Sequence, residues 1–314
     1  MTGGITDITG ITVGHCTDTE NLTGCTVILC PEGAVGGVDV RGSAPGTRET
    51  DLLRPQSHVP TVNAFMLSGG SAYGLASATG VMNYLQERSI GYNAGSIQIP
   101  IVPAAIIFDQ GVARSNAYPG EKEGYQACLN ASDGPIEEGS VGAATGATVA
   151  KLLGPHNTQP GGVGTASVDL GDGLVVGAIV VVNAVGGIYN PDDGRIISGP
   201  RLANGEMGDS IKELLAIDYV SPQPFGTNTT IGVIATNATL SKVQTNQLAA
   251  VAHNGIALAV RPAHTPYDGD TIFGLATGNI KGEPDMTRIG AAVVKCVGDA
   301  IISGVAKAVG YHNR

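Results

Sequence analysis

Short apolar runs bounded by turn residues alternate with segments of helical spacing along most of the chain. Runs rich in β-branched residues predict strands, and apolar residues that recur about every three or four positions predict helices. We expect strands at residues 26–30, 62–67, 97–108, 163–170, 174–182, 229–236 and 271–277. We expect helices at residues 71–87, 143–153, 209–215, 241–260 and from 285 onward. Several strands are apolar on both faces and need cover on both sides, so the pattern predicts a layered α/β fold.

Turn residues and helix caps mark the boundaries between these elements. The Gly-Asp-Gly stretch at 171–173 predicts a hairpin between the two strands that flank it. Ser241 with Gln244 forms a capping box, which predicts the start of a helix. Residues 190–207, rich in Gly, Pro, Asn and Asp, predict a long surface loop, and residues 221–228 predict a second loop.

Composition places the chain among globular proteins and excludes several classes of partner. Its 314 residues are 42% hydrophobic and 14% charged, enough for a sizeable core, and we expect one domain over residues 1–314. The net charge of −10, without a Lys/Arg cluster, argues against a nucleic-acid partner. No continuous apolar run reaches the roughly 20 residues of a membrane span, and the N-terminus does not resemble a signal peptide. Five cysteines without a C-x-x-C pair are typical of reduced thiols, so a cytoplasmic protein is expected.

The junction Asn228-Thr229 carries the first candidate chemistry, because a polar approach runs there directly into an apolar strand. A threonine inside a chain has no nearby base, whereas at an N-terminus its own α-amino group, with a pKa of roughly 7.7–8.0, accepts the proton. Thr229 reaches that state if its Oγ attacks the carbonyl of Asn228 and water hydrolyses the resulting ester. A threonine pair at a strand edge gives the same pattern, so these residues alone leave both interpretations open.

Asp268-Gly-Asp270 is the second candidate. In an extended chain the two carboxylates point to one face, and their repulsion raises the pKa of one of them unless a cation lies near. This arrangement suits acid–base catalysis or the orientation of an amine. A solvated turn and a metal site with few oxygen ligands are the other interpretations.

Three further polar features interrupt apolar stretches. Lys151 ends a predicted helix and either extends to water or neutralises nearby carboxylates. Asn183 follows a buried strand and is either a turn residue or a donor to an oxyanion. The Ser-Gly-Gly-Ser turn at 68–71 places backbone N–H groups at a helix start, where they suit an anion or an oxyanion.

Taken together, these features resemble one family of self-processing hydrolases. It holds the L-aminopeptidase/D-esterases, the β-aminopeptidases and the 6-aminohexanoate-oligomer (nylon oligomer) hydrolases. The matching stretches occur in the family's order: VDVRGSAPGTRETDLL (38–53), LSGGSAYGLASATGVMNYL (67–85), IPIVPAAIIFD (99–109), GAATGATVAK (142–151), VVVNAVG (180–186), GTNTTIGVIATNATLSK (226–242) and HTPYDGDTIF (264–273). The resemblance implies an αββα sandwich of the N-terminal-nucleophile type, cleavage into chains 1–228 and 229–314, no cofactor or metal, and a homo-oligomer of processed units.

The resemblance also assigns roles to individual residues. Thr229 becomes the N-terminal nucleophile, and four residues fall on the catalytic positions of the nylon-oligomer branch: Lys151, Asn183, Asp268 and Asp270. The aminopeptidase branch uses a Ser nucleophile and a Ser-x-Glu pair instead. Phe108 stands where both branches have a Tyr near the oxyanion, so Asn183 or backbone N–H groups must stabilise the transition state.

The expected activity is hydrolysis of a small peptide or other amide through an acyl-enzyme on Thr229. An acyltransferase is the first alternative, since the ornithine acetyltransferases have a related fold and a self-cleaving Thr nucleophile. An unprocessed, inactive relative is the second.

Overall fold

One long strand, β2 (Thr23–Val40), passes from a first β-sheet into a second. In the computed structural model, which describes residues 3–112, 116–220 and 228–309, the first part of β2 pairs with β1 (Thr12–Asp18). Residues 35–40 of β2 pair with β16 (Thr271–Ile280). The other described strands are β3 (Thr47–Arg48), β4 (Val62–Ser68), β5 (Tyr92–Asn93), β6 (Gln98–Ile99), β7 (Ala104–Ile106), β8 (Thr148–Val149), β9 (Gln159–Pro160), β10 (Gly162–Asp169), β11 (Val175–Asn183), β12 (Gly187–Tyr189), β13 (Ile196–Ser198), β14 (Thr229–Ala238) and β15 (Val260–Arg261).

The strand order of the joined sheets is β10-β11-β14-β16-β2-β4-β7-β3, with β1 paired to β2. In the second sheet β14 lies between β11, to which it is antiparallel, and β16, to which it is parallel. The predicted hairpin at 171–173 is confirmed, because β10 and β11 pair antiparallel across it. β14 is therefore a central strand, buried along its whole length.

Helices cover the outer face of each sheet. The first sheet carries α1 (Ser77–Gln86) and α2 (Glu121–Leu129), and the second carries α4 (Lys242–Ala259) and α5 (Met286–Ala306). A short helix, α3 (Ser210–Leu214), lies between them in sequence. The predicted capping box is confirmed: Ser241 Oγ accepts the N–H of Gln244, and the Gln244 side chain accepts the N–H of Ser241.

Three apolar clusters fill the spaces between the four layers. Successive side chains of β11 point to opposite faces of the sheet. Ile179 and Val181 join the cluster between the sheets, whereas Val180 and Val182 face α4 and α5. Phe65 and Phe273 stack across the inter-sheet layer at 4.7 Å between ring centroids, a contact that contributes about 0.5–1.5 kcal/mol beyond burial. The third cluster lies under α1 and α2. The predicted αββα layering is therefore confirmed.

Helix α5 has the length and composition to cross a membrane. Polar residues interrupt it, so it did not stand out as a continuous apolar run in the sequence. It is nevertheless a core element here. Eleven of its residues are buried, including Ile289, Val293, Cys296 and Ile301, and they pack in the cluster that α5 shares with the second sheet.

Three predictions from the sequence pattern are wrong in detail. Residues 143–153 do not form a helix, because Ala150 adopts the left-handed conformation at φ 57° and only one-turn 3-10 helices and β8 form there. The strand predicted at 97–108 is reduced to β6 and β7, since prolines interrupt it. Residues 190–207 contain β13, which pairs with β12. Of the loop predicted at 221–228, residues 221–227 lie outside the described residues.

Candidate active site

The Asn228–Thr229 peptide lies inside the protein, at the first residue of β14. Asn228 is only 6% exposed and Thr229 5%. Thr229 Oγ donates to the carbonyl oxygen of Asn228 at 2.5 Å, and the backbone N–H of Gly269 donates to the same oxygen at 3.0 Å. The carbonyl is thus polarised by two donors, one of which is the hydroxyl of the next residue.

Lys151 and Asn183 meet beside this junction. Asn183 ends β11 and is paired with Thr229 across the two strands. Lys151 Nζ lies 2.8 Å from Oδ1 and 3.1 Å from the backbone oxygen of Asn183. The backbone of Lys151 is fixed by its N–H, which donates to Val185 just beyond the end of β11. Left-handed Ala150 turns the chain so that the Lys151 side chain faces inward instead of ending a helix in solvent.

The Asn183 amide is oriented by three hydrogen bonds. Its Oδ1 accepts from Lys151 Nζ and from the N–H of Thr148, so its Nδ2 must be the donor that faces the carbonyl oxygen of Phe108 at 3.1 Å. Asn183 is completely buried. Phe108 therefore reaches the site through its backbone carbonyl.

Burial tunes the amine of Lys151. Desolvation lowers the pKa of Lys151 to about 7, and the negative charges of Asp268 and Asp109 oppose part of that decrease. Near pH 7 the side chain is thus divided between the amine and the ammonium form. Such a group can both accept and return a proton.

Asp268, Gly269 and Asp270 run alongside the junction. Asp268 forms an isolated parallel bridge with Asn228. The loop after β2 also holds the Asp268–Asp270 segment in place, because the N–H of Ala44 donates to the Asp268 carbonyl. That approach requires Gly42, since a Cβ there would lie 2.3 Å from the Asp270 nitrogen.

The two carboxylates have different partners. Asp270 Oδ1 accepts the N–H of Thr230 at 2.6 Å, and Oδ2 accepts from the ring Nδ1 of His264 at 2.8 Å. Asp268 Oδ2 accepts the N–H of Thr265, whereas its Oδ1 is buried without a hydrogen-bond partner among the described residues. Burial, followed by the charge of Asp270, raises the pKa of Asp268 to about 6. The rise expected for one of the two carboxylates thus falls on Asp268.

The five side chains predicted to form the site lie close together at the N-terminal end of β14. They belong to Lys151, Asn183, Thr229, Asp268 and Asp270. Their catalytic roles remain predictions. Within residues 3–112, 116–220 and 228–309, no group of His, Cys, Asp or Glu side chains is arranged to hold a metal ion.

The sequence interpretation missed Asp109, a buried carboxylate close enough to Lys151 to raise its pKa. Asp109 accepts from the N–H of Gly70 and from Thr23 Oγ, both at 2.7 Å, while burial raises its own pKa. The glycine turn expected to bind an anion or oxyanion thus has its Gly70 N–H occupied by Asp109. A signal was present, since Asp109 is a polar residue at the end of an apolar run, as Asn183 is.

Comparisons with known proteins agree with this architecture. The model of the family described as Peptidase family S58 matches residues 3–314. An uncharacterized aminopeptidase of Mycobacterium tuberculosis is 42% identical, over 97% of this chain and 94% of its own. The 6-aminohexanoate-oligomer endohydrolase of Agromyces sp. is 31% identical, over 94% of this chain and 84% of its own.

Solved structures show the same fold at lower identity. The β-aminopeptidase of Burkholderia sp. has a TM-score of 0.70 at 24% identity, covering 97% of this chain and 87% of that one. The L-aminopeptidase D-Ala-esterase/amidase of Ochrobactrum anthropi, described as a variant of the Ntn hydrolase fold, has a TM-score of 0.73 at 21% identity, covering 98% and 88%. The chain therefore belongs to Peptidase family S58, has an Ntn-hydrolase fold, and is a hydrolase of peptide or other amide bonds.

Proposed function

We propose that this protein is a self-processing amide hydrolase that cuts its own chain between Asn228 and Thr229 and then uses Thr229 as an N-terminal nucleophile. One observation carries the proposal: Thr229 Oγ lies 2.5 Å from the carbonyl oxygen of Asn228, and Gly269 holds that oxygen with its N–H. A carbonyl that is polarised next to a hydroxyl is poised for attack by that hydroxyl.

Self-cleavage proceeds through an ester. Thr229 Oγ attacks the carbonyl carbon of Asn228 as its proton passes to the Lys151 amine, which later returns it, and the oxyanion that develops is stabilised by the Gly269 N–H. The C–N bond then breaks, the Thr229 nitrogen takes up the proton and becomes the α-amino group, and Asn228 is left esterified to Oγ. Water hydrolyses this ester and leaves a carboxylate on Asn228 and a free hydroxyl on Thr229.

Substrate turnover repeats the same chemistry on another carbonyl. The Thr229 α-amino group accepts the Oγ proton and donates it to the leaving amine, and water hydrolyses the acyl-enzyme. Lys151, with its pKa lowered to about 7 by burial, exchanges protons with this amine and adjusts its basicity. Asn183 contributes a donor to the oxyanion. Asp268 and Asp270 orient the α-amino group, whose protons supply a partner for the buried Asp268 Oδ1, an atom without one among the described residues.

The substrate class follows from the family and its members. We propose small peptides or linear oligomers of amino acids, because the relatives include proteins named aminopeptidase and 6-aminohexanoate-oligomer endohydrolase. The missing phenol at Phe108 leaves oxyanion stabilisation to Asn183 and to Gly269.

Mass spectrometry of the purified protein tests the processing step. We expect two fragments, the smaller of which begins at Thr229, and a single full-length species for Thr229→Ala. A wild-type protein that stays whole, or a Thr229→Ala variant that still splits at 228/229, contradicts the proposal. A panel of p-nitroanilides and aminohexanoate oligomers, with and without an added amine acceptor, then distinguishes hydrolysis from acyl transfer.

A further inference from the structure

A pair of histidines lies behind Asp270, outside the residues to which the mechanism assigns a role. His264 contacts Asp270 twice, through its backbone N–H at 3.2 Å and through ring Nδ1 at 2.8 Å. Its ring lies edge-on to that of His253, with 4.9 Å between the centroids. Asp39 and Arg41 complete the charged surroundings: His253 Nε2 lies 3.0 Å from the backbone oxygen of Asp39, and Arg41 forms an ion pair with the Asp39 carboxylate.

The partners of the His264 ring define its protonation state. Nδ1 faces a carboxylate oxygen of Asp270, and Nε2 faces the backbone oxygen of His253 at 3.4 Å. An ionised carboxylate and a carbonyl can only accept hydrogen bonds, so both ring nitrogens must donate. Only the imidazolium satisfies both contacts. The pKa of His264 is accordingly raised, because the hydrogen bond and charge of Asp270 outweigh the effect of burial.

His253 has the opposite character. Its ring is completely buried, and its Nδ1 has no hydrogen-bond partner within the described parts of the chain. Burial, together with the charge of the neighbouring His264, lowers the pKa of His253 to about 4, although the contacts with Asp39 oppose part of that decrease. Two adjacent imidazolium rings would repel each other, so the pair holds one positive charge, on His264.

We propose that His264 is a positioning residue that acts through Asp270. Its imidazolium holds one oxygen of the Asp270 carboxylate, which leaves the other oxygen aimed at the N–H of Thr230, 2.6 Å away. That N–H belongs to the peptide directly after Thr229, so the contact fixes the nucleophile at the start of β14. This inference rests on the proposed function, since it assumes that Thr229 performs the chemistry.

The backbone of His264 suggests the informative substitution. His264 has a left-handed conformation at φ 54°, which asparagine tolerates better than most residues. His264→Asn also keeps a side-chain N–H near the position of Nδ1 but cannot carry a charge. His264→Ala removes both the donor and the charge. Comparing the two variants therefore distinguishes the effect of the hydrogen bond to Asp270 from the effect of the charge that His264 gains and loses with pH.

The first measurement is NMR titration of the histidine rings in full-length Thr229→Ala protein, in which no cleavage is expected. We expect a His264 pKa above 6.5 that falls by about one unit or more when Asp270→Asn is added, as for a group that loses an opposite charge within contact distance. A His264 pKa that does not respond to Asp270→Asn overturns the ion pair.

The second measurement is the rate of self-cleavage and of turnover between pH 6 and 9. We expect His264→Ala to slow both about ten- to a hundredfold, typical of losing a hydrogen bond to a charged group. At pH 7, His264→Asn should have a rate close to that of the wild type. At alkaline pH we expect the wild-type rate to fall as His264 loses its proton, and we expect no such fall in His264→Asn. Equal rates in all three proteins, or an alkaline decline that persists in His264→Asn, overturn the positioning role.

His15→Asn serves as the matched control. His15 also has a partly buried ring whose Nδ1 bonds a side-chain oxygen, that of Thr26, but it lies in β1, away from Asp270. A similar loss of rate in this control would mean that the effect is general destabilisation and would overturn the proposal. The proposed function fails separately, if Thr229→Ala still cleaves itself, whatever the His264 variants do.

Discussion

Asn183 and Thr229 lie directly opposite each other across β11 and β14. Because Asn183 also accepts two hydrogen bonds from Lys151 Nζ, the paired strands place Lys151 beside the proposed nucleophile. The amine reaches this place through the end of a neighbouring strand, without being adjacent to Thr229 in sequence.

Replacing Lys151 by Met should slow self-cleavage by about a hundredfold or more, the typical contribution of a positioned acid or base. In the His264→Asn background, where no alkaline decline from His264 is expected, the rate should rise between pH 6 and 8, since the pKa of Lys151 is lowered to about 7 and the amine forms above it. First-order cleavage kinetics of freshly refolded protein measure both effects. Lys122→Met, at an exposed position on α2, is the control. A rate in the His264→Asn background that is flat or falls over this pH range would contradict the role of Lys151.

Asn183→Asp keeps the oxygen that Lys151 and Thr148 contact but loses the donor to Phe108. The new anion, 2.8 Å from Lys151 Nζ in the parent geometry, should raise the pKa of Lys151 by about one to three units. We expect the midpoint of the pH–rate profile to move upward and the maximal rate to fall. The same kinetics at several pH values show whether the midpoint moves; an unmoved midpoint argues against Lys151 as the titrating group.

Asp109→Asn should shift the same midpoint in the opposite direction. Asp109 raises the pKa of Lys151 through its negative charge, so a neutral residue of the same shape lets burial lower that pKa further. The amide can still accept the N–H of Gly70. A downward shift in the pH–rate midpoint, with the folded protein retained by circular dichroism, is the expected result, and an upward shift would contradict it.

Gly269→Ala should impair processing because there is no room for a side chain. A Cβ at this position would lie 2.7 Å from the backbone oxygen of Ala44 and 3.0 Å from Thr229 Oγ. The variant should misplace the nucleophile and slow cleavage by more than about tenfold, as small displacements of reacting groups do. Gly134→Ala is the control, since its Cβ would meet only the Ser132 hydroxyl at 3.7 Å. If Gly269→Ala cleaves itself at the parental rate, the backbone at Gly269 is not packed as closely against Ala44 and Thr229 as we infer.

Asp268→Asn should stabilise the unprocessed protein at neutral pH. The folded-state pKa of Asp268 is raised to about 6 from 3.8, so the folded chain binds more protons than the unfolded chain between these values. Stability is therefore lost as pH rises from about 4 to 6 and stays lost above that range. We expect a gain in unfolding free energy of about 1–3 kcal/mol at pH 8 and little gain at pH 4.

Urea denaturation in the Thr229→Ala background measures this difference. Asp133→Asn, at an exposed position, should give no pH-dependent gain. An Asp268→Asn protein that is less stable at pH 8 than its parent would show that the carboxylate is a stabilising group.

Local rules predicted much of the fold. The hairpin at 171–173 and the capping box at Ser241 depend on neighbours in sequence, and the structure confirms them. The apolar character of several strands on both faces predicted the layers for the same reason. The helix expected at 143–153 failed because tertiary hydrogen bonds at the end of β11 favour left-handed Ala150 over local helical spacing.

The site was less accessible to local reasoning. Local patterns marked Thr229, Lys151 and the aspartate pair as candidates with open alternatives, and the resemblance to a family assigned their catalytic roles, since nothing in their spacing shows that they meet. Asp109 contacts Thr23 and Gly70 on other segments, and His264 contacts Asp270 through a turn of the chain, so the environments of Asp109 and His264 become visible only in three dimensions. The oxygen atoms of Asp268, one bonded and one without a partner, could not be distinguished from the sequence.

The central position of β14 has a consequence for how the protein would fold if the proposed cleavage occurs. Residues 229–314 contribute β14 and β16, which are flanked by β11 and β2 from the preceding part of the chain. A break before Thr229 therefore leaves two polypeptides interleaved in one sheet, and they should unfold in a single transition. Before the break the chain refolds as one molecule, whereas afterwards two separated pieces must find each other in a concentration-dependent step. Processing would thus make unfolding effectively irreversible. The lifetime of the cleaved protein would then depend on how slowly it unfolds.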